Sequence, residues 1–252
     1  NIEEIEKNFI LKDKDYELAN TFWPGPLTLI LEKKINSMIS PFLSNNKNQV
    51  GCRIPNNEIS LSLLSIIDFP IAAPSANIAT RTSVTSIDDL DYKLKEIFYI
   101  DGGSSVLGLE STVIKTTKNG CKILRLGSLT IEDIKIKFPK YEISIDQSNV
   151  SPGNQLKHYS PIKPIRINVD FVKKNEALLN FGINELTSDI KSLNLSIEEN
   201  LSDASFNFYN YLNILDSINC SGIAVAPIPD QGLGKTINDR LRRASYKDEQ
   251  NI

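Results

Sequence analysis

The chain has 252 residues, 40% of them hydrophobic and 23% charged, which supports a packed core and excludes a disordered or low-complexity chain. Its 28 basic and 31 acidic side chains leave a net charge of −3, which disfavours a general binder of nucleic acid or anionic membranes. Cys52, Cys121 and Cys220 are odd in number and widely spaced, so they suggest neither a disulfide framework nor a metal site, and they fit a reducing, cytoplasmic setting.

Taken from the start, Ile2, Ile5, Phe9 and Leu18 fall at helical spacing and predict one or two amphipathic helices. The first residues carry no basic-then-apolar secretory signal, and there is no initiator Met, so residues before Asn1 are an open expectation. Trp23-Pro24-Gly25-Pro26 forbids helix and leads into a strand over Leu27 to Leu31. Short apolar runs predict further strands at Val50 to Ile54, Pro70 to Ala73, Ile97 to Ile100, Thr112 to Lys115 and Lys122 to Leu126. Ile59 to Ile67 and Ile87 to Lys95 have a helical period, so the class is α/β with a mixed sheet. Asn119-Gly120 predicts a tight hairpin turn with positive φ angles, and Thr130 is the expected N-cap of a helix running to Phe138.

Residues 146–164 then have linker composition, with Pro152-Gly153, Ser160-Pro161 and Pro164 among polar residues. Beyond them, strands at Ile165 to Val169, Leu178 to Gly182 and Ile223 to Ile228, with a helix over Ala204 to Ile218, predict a second, small α/β domain. The domain expectation is therefore 1–145, a linker 146–164, and 165–252. No apolar run approaches the ~18 residues of a spanning helix, so no membrane partner is expected.

Several segments could carry chemistry. Gly232-Leu-Gly-Lys-Thr236 imitates a phosphate loop, but Pro229 stands where that motif needs glycine, so the segment reads as a structural turn. The lone His158 cannot build a metal cluster, and no nucleophile elbow is present. Small residues around Ser75 and Asn77 leave room for a ligand, and an extended backbone after Pro74 would point both side chains to one side. Asp101-Gly-Gly-Ser-Ser105 and Glu110-Ser-Thr112 offer N–H groups and hydroxyls for an anion, with Arg53 and Arg125 as matching cations. The bland alternatives are strand ends, flexible loops and surface ion pairs.

Seven segments occur in a distinctive order: Phe-Trp-Pro-Gly-Pro-Leu-Thr (22–28), Val-Gly-Cys-Arg-Ile-Pro (50–55), Ala-Pro-Ser-Ala-Asn (73–77), Asp-Gly-Gly (101–103), Glu-Ser-Thr-Val (110–113), Leu-Arg-Leu-Gly (124–127) and the linker Ser-Pro-Gly-Asn-Gln-Leu-Lys-His-Tyr-Ser-Pro (151–161). With Asn-Asp-Arg-Leu-Arg-Arg-Ala (238–244), the series resembles the YrdC-like family of threonylcarbamoyl-AMP synthases, in its two-domain branch. The resemblance implies a YrdC-like twisted mixed sheet with flanking helices, N-terminally incomplete, joined by a linker to a Rossmann-like α/β domain. It implies a nucleotidyltransferase that converts L-threonine, bicarbonate and ATP, with Mg2+ on the ATP phosphates, into threonylcarbamoyl-AMP and pyrophosphate. The product would pass to tRNA threonylcarbamoyl-transfer proteins.

Residue by residue, the resemblance assigns Arg53, Ser75 and Ser111 to threonine, and Asn77, Thr85, Arg125 and Tyr159 to the nucleotide, with the linker as a lid. It implies no metal ligand and no covalent catalytic residue. The family's Thr-x-Tyr-Gly strand and Lys-x-Arg motif are absent, Gln49 replaces Thr or Ser, Ile78-Ala79-Thr80 replaces a Ser-Gly pair, and Lys157 stands where Arg is common. These departures predict a C-terminal portion that is a poor catalyst alone, with a separate N-terminal segment as a possible partner. The weighed alternatives are a non-catalytic nucleotide- or RNA-binding remnant and a carbamoyl-transfer domain of the hydrogenase-maturation type.

Overall fold

The computed structural model describes residues 1–44, 47–73, 75–78, 81–91, 94, 96, 98–146 and 159–246. They form two compact units: Asn1–Pro74 with Glu110–Ser148, and Ser75–Leu109 with Asn149–Ile252. Packing thus draws its boundary differently from the sequence, because Ser75–Leu109 groups with the C-terminal part. Gly108 shows why: a Cβ there would lie 1.9 Å from the Ser205 carbonyl oxygen, so the loop lies tight against a helix of the second unit. Ser205 Oγ also donates to Leu107 O (3.1 Å), and Thr82 Oγ1 donates to Asn213 Oδ1 (2.6 Å).

The first unit opens with two helices, α1 (Ile2–Asn8) and α2 (Asp13–Phe22), separated by β1 (Phe9–Ile10). It continues with β2 (Leu27–Lys33), β3 (Gln49–Cys52) and α3 (Glu58–Ile66), then β4 (Thr112–Thr116), β5 (Gly120–Arg125), α4 (Ile131–Lys137) and β6 (Glu142–Ile145). The sheet runs β1-β2-β4-β5-β6, with β3 pairing antiparallel to β2. It is mixed: β2 and β4 are parallel, β4 and β5 antiparallel, and β5 and β6 parallel. Alternation puts Leu27, Leu29 and Leu31 of β2 on the core side, where they meet Leu18, Ala19, Ile114, Ile123 and Ile134. Thr130 caps α4 as its sequence indicates, exchanging hydrogen bonds with Asp133.

The second unit carries a parallel sheet in the order β7-β10-β8-β9, formed by Ile165–Arg166, Gly222–Val225, Glu176–Asn180 and Ser192–Asn194 respectively. Helices α5 (Leu201–Ser217) and α6 (Gly232–Ala244) pack on it, and Phe208, Tyr209, Leu212, Ile237 and Leu241 meet Ala177, Leu179, Ile223 and Val225. A parallel sheet with connecting helices is the Rossmann-like arrangement that the sequence indicates.

Four expectations change. Pro70 to Ala73 is exposed coil and not a strand, since Pro70 and Pro74 bracket only three N–H donors. Phe98 to Ile100 is also exposed coil, and Ile97 lies outside the described residues. Of the helix expected over Ile87 to Lys95, the described residues show 3-10 geometry at Ile87–Asp89 and at Leu94 and no α-helix, and the Asp89 carboxylate accepts from the N–H groups of Thr85 and Ser86. The β4–β5 hairpin exists, but neither Asn119 nor Gly120 has positive φ. Gly120 is needed instead because a Cβ would come 2.3 Å from Glu142 O in the neighbouring strand β6. The phosphate-loop mimic is the first turn of α6, which begins at Gly232. Most of the linker, residues 147–158 with Lys157 and His158, lies outside the described residues.

Candidate functional site

The site in the first unit starts with the Trp23–Pro26 segment. Trp23 Nε1 donates to Leu27 O (2.6 Å), and Gly25 N donates to Ile54 O (2.9 Å), so this turn ties the start of β2 to the chain leaving β3. A side chain at Gly25 would meet Phe22 O at 2.2 Å, which explains the glycine. Thr28 on β2 and Arg53, which follows β3, are thereby set beside one another in the sheet, since Leu29 pairs with Cys52.

Ser111 enters from the loop before β4. Thr112 N donates to Pro26 O (2.9 Å), and Leu27 pairs with Thr112, which brings the buried Ser111 alongside β2. The Ser111 and Thr28 hydroxyl oxygens lie 2.8 Å apart. Arg125, at the end of β5, donates through Nε (3.3 Å) and Nη2 (2.9 Å) to Ser111 O, and through Nη2 to Ser111 Oγ (3.2 Å). Gly127 permits this close approach: a Cβ would sit 2.4 Å from the Ser111 carbonyl carbon.

Two guanidinium groups therefore share this end of the sheet. Partial burial, and then the charge of Arg125, lower the pKa of Arg53 from its ordinary value. No carboxylate forms an ion pair with either arginine among the described residues. Like charges near one another, with a hydroxyl beside Arg125 and no carboxylate paired to either arginine among the described residues, have the chemistry to meet an anion.

The structure thus brings Arg53, Ser111 and Arg125 together. It adds Thr28, whose signal was its place directly after the Pro-Gly-Pro turn, out of phase with the buried leucines. Ser75, Asn77, Thr85 and Tyr159 belong to the second unit. Ser75 is exposed, and Ala76 and Asn77 lie in a bend, so the extended geometry expected after Pro74 is not adopted. Asn77 Nδ2 donates to Arg81 O (2.9 Å) and to Ile78 O (3.3 Å), and this wrapping causes the bend. The Thr85 hydroxyl donates to Asp89 Oδ2 (2.8 Å). Tyr159 is 2% exposed inside the core of its unit, so its aromatic ring is not idle in a Pro-Gly segment.

A twisted mixed sheet with flanking helices, followed in sequence by a Rossmann-like parallel unit, defines a two-part class of α/β proteins. Comparison with known proteins names the family. A family model described as "Telomere recombination" (Sua5, YciO and YrdC) matches residues 1–127, and one described as "Threonylcarbamoyl-AMP synthase, C-terminal domain" matches residues 129–245. The chain is 30% identical to the threonylcarbamoyl-AMP synthase of Pyrococcus abyssi, over 90% of this chain and 72% of that protein. It is 29% identical to the Bacillus subtilis protein of the same name, over 92% and 73%. The crystal structure of P. abyssi Sua5 complexed with L-threonine superimposes with a TM-score of 0.81 at 28% identity, covering 97% of this chain and 78% of that one. The chain belongs to the threonylcarbamoyl-AMP synthase family, whose members are enzymes.

Proposed function

We propose that this chain serves the family reaction, in which L-threonine, bicarbonate and ATP give threonylcarbamoyl-AMP and pyrophosphate for modification of adenosine 37 in tRNA. The observation that carries the reading is the Arg53–Arg125 pair, with the Ser111 hydroxyl on Arg125, the Thr28 hydroxyl beside it, and no carboxylate to neutralise either cation among the described residues. The charged groups that the reaction brings together, the threonine carboxylate, the carbamate and the phosphates, are all anionic.

The threonine nitrogen adds to carbon dioxide derived from bicarbonate, and a carbamate oxygen then attacks the α-phosphorus. The bond from that phosphorus to the bridging oxygen breaks, and pyrophosphate leaves with its electron pair. Such a step needs alignment and neutralised charge, and no covalent nucleophile. In this reading Arg53 pairs with the threonine carboxylate, Ser111 and Ser75 bind the amino acid, and Arg125 neutralises phosphate. Asn77, Thr85 and Tyr159 serve the nucleotide side. Asn77 Oδ1 is buried without a hydrogen-bond partner among the described residues, which leaves an acceptor for a ligand donor. Mg2+ would arrive on the ATP oxygens as part of the substrate. The reaction would run in the cytoplasm, where tRNA threonylcarbamoyl-transfer proteins consume the product. Among the described residues no helix is long and apolar enough to cross a membrane.

The test is pyrophosphate release from ATP with purified protein. Release that requires threonine and bicarbonate together, with threonylcarbamoyl-AMP identified by mass, is the expected result. Release that ignores either substrate would defeat the reading.

A further inference from the structure

The Asn-Asp-Arg-Leu-Arg-Arg-Ala motif is left without a role by the reaction above, and the structure supplies one. Arg240 of this motif is fully buried on α6, although an arginine is among the costliest side chains to remove from water. Its neighbour Asp239 accepts from Arg240 Nη1 and also takes a fork from Arg243, through Nε (3.0 Å) and Nη2 (3.0 Å). The Arg240 guanidinium carbon lies 4.5 Å from the centre of the Tyr159 ring. On α5, Tyr209 stands 6.1 Å from the same ring, centre to centre.

Tyr159 also has φ +59°, a left-handed backbone that a non-glycine residue keeps only when its surroundings impose it. Just beyond it, Ile162 N (2.8 Å) and Lys163 N (2.9 Å) donate to the Asp216 carboxylate. Tyr159 is thus part of a firmly held stretch, with its ring desolvated against a buried cation. Drawing that ring out would leave Arg240 buried without its aromatic face, so the position is not one the ring readily leaves.

We infer that Arg240 is a positioning residue for the proposed reaction: braced by Asp239, it anchors Tyr159 through its ring, and Tyr159 serves the nucleotide side through that anchored ring. The inference rests on the nucleotide-side role proposed above for Tyr159.

The 252-residue chain tests it with four variants, Tyr159→Phe, Tyr159→Leu, Arg240→Met and Arg240→Lys, and the double variant Y159L/R240M. Tyr159→Phe keeps the ring and should leave the KM for ATP within about twofold of the parent. Tyr159→Leu and Arg240→Met should each raise the KM for ATP about tenfold and leave the KM for threonine unmoved, whereas simple destabilisation shifts neither KM. The double variant should be no worse than either single variant, and Arg240→Lys should restore part of the loss. Trypsin cleavage after Lys157, followed by mass spectrometry, should quicken in the same pattern and needs no turnover. If Arg240→Met does not fold, Asp239→Asn, which loosens the brace, takes its place in the cycle.

A Tyr159→Phe variant whose KM for ATP rises as far as that of Tyr159→Leu overturns the inference, as do effects of Tyr159→Leu and Arg240→Met that multiply. If the parent shows no turnover dependent on threonine and bicarbonate, the functional reading fails, while the cleavage pattern still decides for or against the anchor.

Discussion

Arginines are handled differently in the two units. In the second, Arg166 forks onto Glu176 through Nε (2.8 Å) and Nη2 (2.7 Å), and Arg240 and Arg243 both hold Asp239. In the first, Arg125 donates to Ser111 and its charge acts on Arg53, and neither arginine pairs with a carboxylate among the described residues. The paired arginines return their desolvation cost as folding stability. In the proposed reading the two without a carboxylate keep their charge for an anionic ligand. In the proposed reading, then, the arginines that a carboxylate compensates are structural, and Arg53 and Arg125, which none compensates among the described residues, meet the ligand.

The largest test of that contrast is Arg53→Met. We expect threonine-dependent pyrophosphate release to fall by about 100- to 1,000-fold, or about 3–4 kcal/mol of transition-state stabilisation, as for loss of one preorganised charge-stabilising group. The thermal midpoint should hold or rise, because a repulsion with Arg125 is removed. A drop in midpoint matching the drop in rate would show that Arg53 is structural after all.

A smaller effect is expected at Gly127, where the backbone of β5's exit presses on the Ser111 loop. Gly127→Ala places a methyl 2.4 Å from the Ser111 carbonyl carbon and the Thr112 nitrogen, so one of the two segments must move. The cost should be about 1–3 kcal/mol of stability, read by urea unfolding. Because Ser111 moves with its loop, the KM for threonine should rise in the same variant. An unchanged KM in a destabilised protein would separate the loop from the site.

Legibility followed the range of the signals. The strands β2 to β5 and helix α4 were readable because alternation, the Pro-Gly-Pro turn and the Thr130–Asp133 cap act within a few residues. Arg53, Ser111 and Arg125 were found through motifs, yet their convergence depends on β2 lying between β3 and β4, which spacing does not reveal. The grouping of Ser75–Leu109 with the second unit was hidden for the same reason, since its partners Ser205 and Asn213 lie about a hundred or more residues further on. Gly120 was recognised as necessary but for the wrong cause: its constraint comes from β6 and not from its own φ. Tyr159 was assigned to the nucleotide by resemblance alone, and only the fold shows Arg240 above its ring.

The smallest expected effect belongs to the paired side of the contrast, and it depends on pH. Hydrogen bonds from Arg166, opposed by burial and aided by the Lys173 N–H and by nearby positive charge, hold the Glu176 pKa below its ordinary value. A carboxyl whose folded pKa is depressed adds stability above its unfolded pKa of ~4.3 and loses it as the pH falls through the lower folded value. Glu176→Gln should therefore cost about 1 kcal/mol at pH 7, between an exposed and a buried pair because Arg166 is partly solvated. The gap between parent and variant should stay constant down to about pH 5, narrow below ~4.3 and close in stronger acid, where both carry an uncharged side chain. Pyrophosphate release at neutral pH should be the same in both proteins. Unfolding curves at several pH values read the first result and the substrate assay the second; a variant that loses turnover while keeping its stability would place Arg166 and Glu176 among the binding groups and remove compensation as the distinguishing mark.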